Sequence, residues 1–188
     1  VTISSIDFKA EEYSALSGEL TATDNTGDFI REEVNIGEYN IPGLKSISLI
    51  NKVREVQALI GFSRLEPIDE DNISEDNTGI KSVSVKEDST NWYPGYEVRG
   101  EGIFIEFDEE AISKWLNQST EIQERIDVID QNYSMSYIGE RHPRNITAKF
   151  VLLHTMSHLL ISQLSFECGY SVASLSERLY FVATSSEV

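Results

Sequence analysis

Residues 150–179 read FVLLHTMSHLLISQLSFECGYSVASLSERL, and the fold turns on this stretch. Its spacing predicts one long helix over Phe150–Cys168, a stop at Gly169 and a second short helix after it. A helix advances about 100° per residue, so residues four apart share a face. His154 and His158 therefore stack one turn apart, with Thr155, Ser162 and Ser165 on the same side. The rest of the circumference is mostly Leu, Ile, Met and Phe. A helix apolar over most of its surface is normally buried. The polar stripe must then face a site, a partner or an internal hydrogen-bond network.

Working outward, Gly169 suits a left-handed C-terminal stop. Ser174-Leu-Ser-Glu177 fits a capping box, with Ser174 capping the second helix and Glu177 reaching back to it. Upstream, Trp92–Phe107 (WYPGYEVRGEGIFIEF) gives a Tyr93-Pro94-Gly95 turn and strands at Tyr96–Arg99 and Ile103–Phe107. The Gly100-Glu101-Gly102 centre lacks the third glycine and following helix of a dinucleotide site, so it reads as a bulge or close backbone approach. Asp108 caps a helix running to about Asn117, and Glu121–Ile129 forms another. Tyr133–Asn145 reads as a loop. Ala10–Leu20 reads as a short helix, Thr21–Asp28 as a loop, and Leu44–Leu49 as a strand or an approach to a helix. Asn51–Ile60 shows helical spacing with Gly61 as its stop, and Phe62–Leu65 reads as a short strand. Residues 68–90 are acidic and rich in Ser and Asn, an insertion expected to leave the core as a loop or loose hairpin around Ile80–Val85. The expected fold is α+β, with a central buried helix packed on a small, mostly antiparallel sheet. It is read as a single domain over 1–188 or a fragment of a larger subunit.

Composition narrows the function. The chain has 188 residues and a formal net charge of −17. Spread evenly, that charge would repel a phosphate backbone. It is uneven: residues 91–140 carry 3 basic and 11 acidic side chains, whereas residues 141–188 carry 4 basic and 3 acidic. Arg141, Arg144 and Lys149 thus form a candidate contact for a partner or a phosphate. No run of about 18 apolar residues suggests a membrane span. The opening residues lack the basic and apolar regions of a signal peptide. The chain begins at Val1, which reads as a piece of a longer product. A single cysteine, Cys168, rules out an intrachain disulfide and suits a cytoplasmic home.

Two histidines at this spacing can grip zinc if a third ligand arrives. The zinc-protease pattern also needs Glu directly after the first His, and here Thr155 stands there. Glu167, nine residues beyond His158, falls on the opposite face of an unbroken helix. The preferred reading is therefore a polar network of His154, Thr155, His158, Ser162 and Ser165 without metal or cofactor. Glu167, set on the apolar face, is expected to pair with Arg178 or Arg99. Cys168 sits where the helix dipole disfavours a thiolate, so it reads as a small buried residue rather than a nucleophile. No catalytic residue is assigned.

Three ordered blocks, VREVQALIGFSRL, WYPGYEVRGEGIFIEF and LLHTMSHLLISQLSFECGYSVASLSERLY, resemble the DrmB family of the DISARM anti-phage defence system. The resemblance spans roughly residues 50–182, and 68–90 and 117–145 fit it poorly. It implies a partner of the DrmA-type superfamily-two helicase, meeting DNA through the complex, and no established catalytic triad. An acidic chain suits contact with a basic protein better than with DNA. The expectation is a non-catalytic, protein-contacting module. Two alternatives stand beside it: a metal-dependent hydrolase or nuclease accessory using His154 and His158, and a direct DNA-binding module centred on Arg141, Arg144 and Lys149.

Overall fold

The computed structural model describes residues 5–19, 27–59, 61–63, 82–85 and 92–181. Its backbone clusters into two compact units, Val1–Phe107 and Asp108–Val188. The first holds helix α1 (Ser5–Ser17), strands β1 (Ile30–Glu33) and β2 (Leu44–Ala58), the short strands β3 (Gly61–Ser63) and β4 (Ser82–Ser84), and β5 (Gly95–Phe107). The second holds α2 (Glu109–Leu116), α3 (Thr120–Ser134), α4 (Tyr137–Arg141), α5 (Ala148–Cys168) and a 3-10 turn at Val172–Ser174. The fold class is α+β, as expected from the sequence.

In the first unit β1, β2 and β5 form an antiparallel sheet in that order, and β3 pairs with β4 separately. The β2–β5 ladder runs from Leu44 opposite Phe107 to Ala58 opposite Gly95. Strand side chains alternate between faces, which puts Ser48 and Ile50 on one side. Both are buried, as is Phe104 directly across from Ser48. Tyr13 of α1 meets Phe104 edge to face, with ring centroids 5.9 Å apart. Burial of this strip and the long β2–β5 ladder hold the sheet together.

Of the helix expected over Asn51–Ile60, residues 51–58 are instead the second half of β2, and Ile60 lies outside the described residues. Val53 and Val56 satisfy a helical period, but β-branched residues also suit a strand, and β5 supplies a ladder partner for each residue from Val53 to Ala58. The ladder does bulge at the glycine pair. Ile50 faces Gly102 and Val53 faces Gly100, so β2 carries one more residue than β5 across Glu101. Instead of ending one strand and starting another, the glycines let a single strand pass the bulge. The insertion at 68–90 lies mostly outside the described residues, which include only β4 and residue 85 of it.

In the second unit Asp108 caps α2 as expected, its Oδ1 accepting from the Glu110 and Ala111 amides at 2.8 and 3.1 Å. The stretch read as a loop over Tyr133–Asn145 contains α4. Ser136 caps it, its Oγ accepting from the Gly139 amide at 3.0 Å. A five-residue helix is too short to show a period, which is why only its capping serine could have marked it. Thr147 caps α5, and Gly169 ends it with φ 74°.

The burial expected of α5 is not what the structure shows. Within the helix only Ala148 and Lys149 are buried, while Leu159 is 64 % and Phe166 84 % exposed. The reason is a shortage of neighbours: within its own unit, α3 and the 3-10 turn are the main elements packed against it. Cys168, expected to be buried, is exposed.

Candidate functional site

The site is built from one helix and the chain that returns along it. Gly169 adopts the left-handed conformation that lets the backbone leave the helix axis, and its amide closes the last turn onto the Ser165 carbonyl at 3.1 Å. Ser165 Oγ donates to the Tyr170 carbonyl at 2.7 Å and ties down the first residue of the return. The 3-10 turn follows, and the chain then extends from Leu175. Glu177 ends beside His154. A helix rises 1.5 Å per residue, so His154 lies about 21 Å before Cys168 along α5. Eight extended residues span at most about 26–29 Å. After the short turn, little slack is left, and the strap must run back nearly antiparallel to the helix.

His154 and His158 are edge to face, with ring centroids 4.5 Å apart and planes at 87°. One carboxylate oxygen, Glu177 Oε1, lies 2.6 Å from His154 Nδ1 and 3.8 Å from His158 Nε2. The shorter distance sets the His154 ring and the carboxylate in close polar contact. Phe150 stacks on His154 at 5.4 Å, nearly parallel, and Phe181 tilts against Phe150 at 6.1 Å. These rings wall one side of the cluster. The other carboxylate oxygen, Glu177 Oε2, is buried and accepts no hydrogen bond among the described residues. Among the described residues His154, His158 and Glu177 form the group of three whose donor atoms converge closely enough to hold a metal ion, all within 4.8 Å of one another.

The rest of the expected stripe does not join them. Thr155 is exposed, Ser162 Oγ donates to the His158 carbonyl at 2.9 Å, and Ser165 serves the Tyr170 carbonyl. These are local backbone bonds of the kind helix serines commonly make. Glu167 is exposed and accepts from Gln163 at 3.0 Å, and Arg178 is exposed as well. The capping box is not formed: Ser174 Oγ donates to the Ser171 carbonyl and Glu177 turns to His154. Sequence reasoning sought the third group on the helix itself, at Glu167. The signal for Glu177 lay in the length of the segment after Gly169, which can reach back to the histidines.

The three cations at and before the start of α5 take different roles. Lys149 is only 6 % exposed and its ammonium donates to Glu109 Oε1 at 2.6 Å. A positive charge in the first turn of a helix opposes the helix dipole, and Glu109 offsets that. Lys149 is thus engaged inside the unit rather than offered to a phosphate. Arg141 lies over the Tyr137 ring at 4.2 Å and Arg144 over the Phe150 ring at 5.5 Å, and both are exposed. Their segment is anchored to α3 at two points. Tyr133 donates its hydroxyl to the His142 carbonyl at 2.8 Å, and Asp130 Oδ1 accepts from the Ile146 amide at 2.8 Å.

A second polar cluster lies in the first unit. Glu106 Oε1 accepts from Tyr13 and Lys45, each at 2.7 Å, and its Oε2 accepts from Ser46 at 3.0 Å. Burial alone would push this carboxyl up, but the three donors outweigh it and hold Glu106 below the ordinary carboxylate value. The same hydrogen bond, with burial and the carboxylate charge, pushes the Tyr13 phenol up to about 12. This cluster fastens α1 to β2 and β5 and reads as structural.

No described helix is long and apolar enough to cross a membrane. No protein-family model matches the chain. It is 36 % identical over 181 residues to a protein named DISARM protein DrmB from Bacillus paralicheniformis, an alignment covering 92 % of this chain and 30 % of that protein. The likeness thus runs wider than the three sequence blocks and spans under a third of the relative. The chain is DrmB-like, related to one part of a DISARM protein.

Proposed function

We propose that this chain is a non-catalytic, protein-contacting module of a DISARM-type anti-phage defence complex, working beside a superfamily-two helicase of the DrmA type that acts on phage DNA. The observation that carries this reading is the likeness to DrmB through 92 % of the chain. The charge supports the choice of a protein rather than DNA as the direct contact. A net charge of −17 repels phosphates, and of Arg141, Arg144 and Lys149 the last is buried in an ion pair. Arg141 and Arg144, held out on an anchored segment, suit an acidic patch on the helicase, and the acidic 91–140 block suits a basic one. Thr155 stands where a zinc protease carries its base, which weighs against a hydrolase.

Two measurements on the purified chain test the proposal. Co-purification with the helicase subunit of the same system should be retained by the wild type and weakened by Arg141→Glu/Arg144→Glu, mostly through a slower, salt-sensitive association. Duplex DNA in about 0.15 M salt should bind no tighter than the nonspecific range of about 10⁻⁴–10⁻⁶ M. Submicromolar DNA binding lost in the same double variant would replace the protein-contact reading with direct DNA binding.

A further inference from the structure

The geometry points to a divalent transition-metal site of the zinc type, formed by His154 and His158 of α5 and Glu177 of the returning strap. Three observations converge on it. The donors come from two separate elements and lie within 4.8 Å of one another. A nitrogen of each imidazole lies near the same carboxylate oxygen, at 2.6 and 3.8 Å. The second oxygen, Glu177 Oε2, is buried without a hydrogen bond among the described residues. A simple pairing of His154 with Glu177 accounts for the first distance only. It leaves a buried acceptor unsatisfied, which normally costs free energy.

The donor set fits zinc. Two imidazole nitrogens and a carboxylate are familiar zinc ligands, with bond lengths of about 2.0–2.2 Å. Tetrahedral donors at that distance lie about 3.3 Å apart. Loading therefore releases any proton on the ligating nitrogens to solvent, spreads His154 and Glu177 by about 0.7 Å, draws His158 toward the carboxylate by about 0.5 Å and closes the widest donor separation, at most 4.8 Å, by up to about 1.5 Å. Those shifts need only side-chain adjustment, because His154 and His158 are 42 % and 61 % exposed. The same exposure leaves a fourth position open to solvent or to an anionic group of a partner. The carboxylate supplies negative charge on a strap that has no other acidic residue between Gly169 and Phe181. The site ties Glu177 of the returning strap to α5, beside the Phe181–Phe150 ring contact. It requires no general base, consistent with Thr155 at the position after His154.

The test uses the purified 188-residue chain, stripped with chelator and titrated with zinc and, separately, with cobalt(II). One equivalent of zinc should bind, and cobalt should give visible d–d absorption of a low-coordinate nitrogen–oxygen site. Zinc affinity should fall at least about tenfold in His158→Ala and in Glu177→Gln, on the scale set even by outer-shell changes at metal sites. Thr155→Ala, on the same helix face, should leave it unchanged. Glu177→Gln keeps nearly the same volume and an oxygen beside His154, and its circular dichroism and melting point show whether it is folded. Zinc should raise the melting midpoint of the wild type and not of Glu177→Gln. Absence of saturable zinc uptake by the folded wild type overturns the proposal. So does uptake equal in the wild type, His158→Ala and Glu177→Gln.

Discussion

Replacing Glu106 with Gln probes how the first unit is fastened. Glu106 gathers Tyr13 from α1, Lys45 and Ser46 from β2, and itself belongs to β5. Gln keeps one acceptor oxygen and nearly the same volume, and the Ser46 hydroxyl can turn to suit an amide. What disappears is the charge. A hydrogen bond to an ionised group contributes about 1.5–3 kcal/mol against about 0.5–1.5 for a neutral one. The Lys45 ammonium is 59 % exposed, so its ion pair adds about 1 kcal/mol at most after solvent screening. The expected loss at pH 7 is therefore about 1–2.5 kcal/mol. The pH dependence gives a second signature. The folded state holds Glu106 below its ordinary value of 4.5 and binds its proton more weakly than the unfolded chain. Its contribution is present above that ordinary value and is lost as pH falls through the lower folded value. Urea denaturation followed by circular dichroism, at pH 7 and at successive steps below pH 4.5, measures both. The gap between the wild type and Glu106→Gln should narrow with acid. A loss under about 0.5 kcal/mol at pH 7 would place Glu106 among ordinary surface residues. A gap that stays constant into acid would mean that the carboxylate charge is not what fastens the cluster.

Two further outcomes test the second unit. Gly139→Ala ordinarily stabilises a helix, but here the new Cβ would lie 1.9 Å from the Tyr133 carbonyl oxygen, so a loss of about 1–3 kcal/mol in denaturant unfolding is expected; a gain would show that α4 sits differently against α3. Glu109→Gln should cost about 1–2 kcal/mol because it strips the charge partner from buried Lys149, discounted for the exposure of Glu109, whereas Lys149→Met should be neutral or stabilising; equal losses in both variants in thermal melts would mean that the pair itself, rather than the burial of one charge, sets the effect.

How much of this was legible depends on whether the deciding contact was local. The caps at Asp108 and the stop at Gly169 read correctly because a capping oxygen or a left-handed glycine acts within three or four residues. The α+β class followed from the same local signals. The second half of β2 misread because NKVREVQA suits both periods, and the choice was made by β5, about forty residues away. The long helix was read as buried because apolar composition signals that a surface will be covered and does not say by what. Leu159 and Phe166 stand exposed in a chain that spans 30 % of its relative, so their cover need not lie within these 188 residues. The site divided along the same line. His154 and His158 were found because four residues make one turn. Glu177 was missed because a capping box is the nearest local explanation for Ser-x-x-Glu, and the strap that carries it to the histidines is a tertiary event. The capping reading satisfies one carboxylate with one amide, whereas the observed position sets the carboxylate against two imidazoles and leaves Oε2 buried without a hydrogen bond. A fold that withholds a carboxylate from an available cap and directs it at two histidines meets the desolvation cost of that carboxylate only if something at the cluster returns it. That imbalance, more than the histidine spacing, is the reason to look for a metal there.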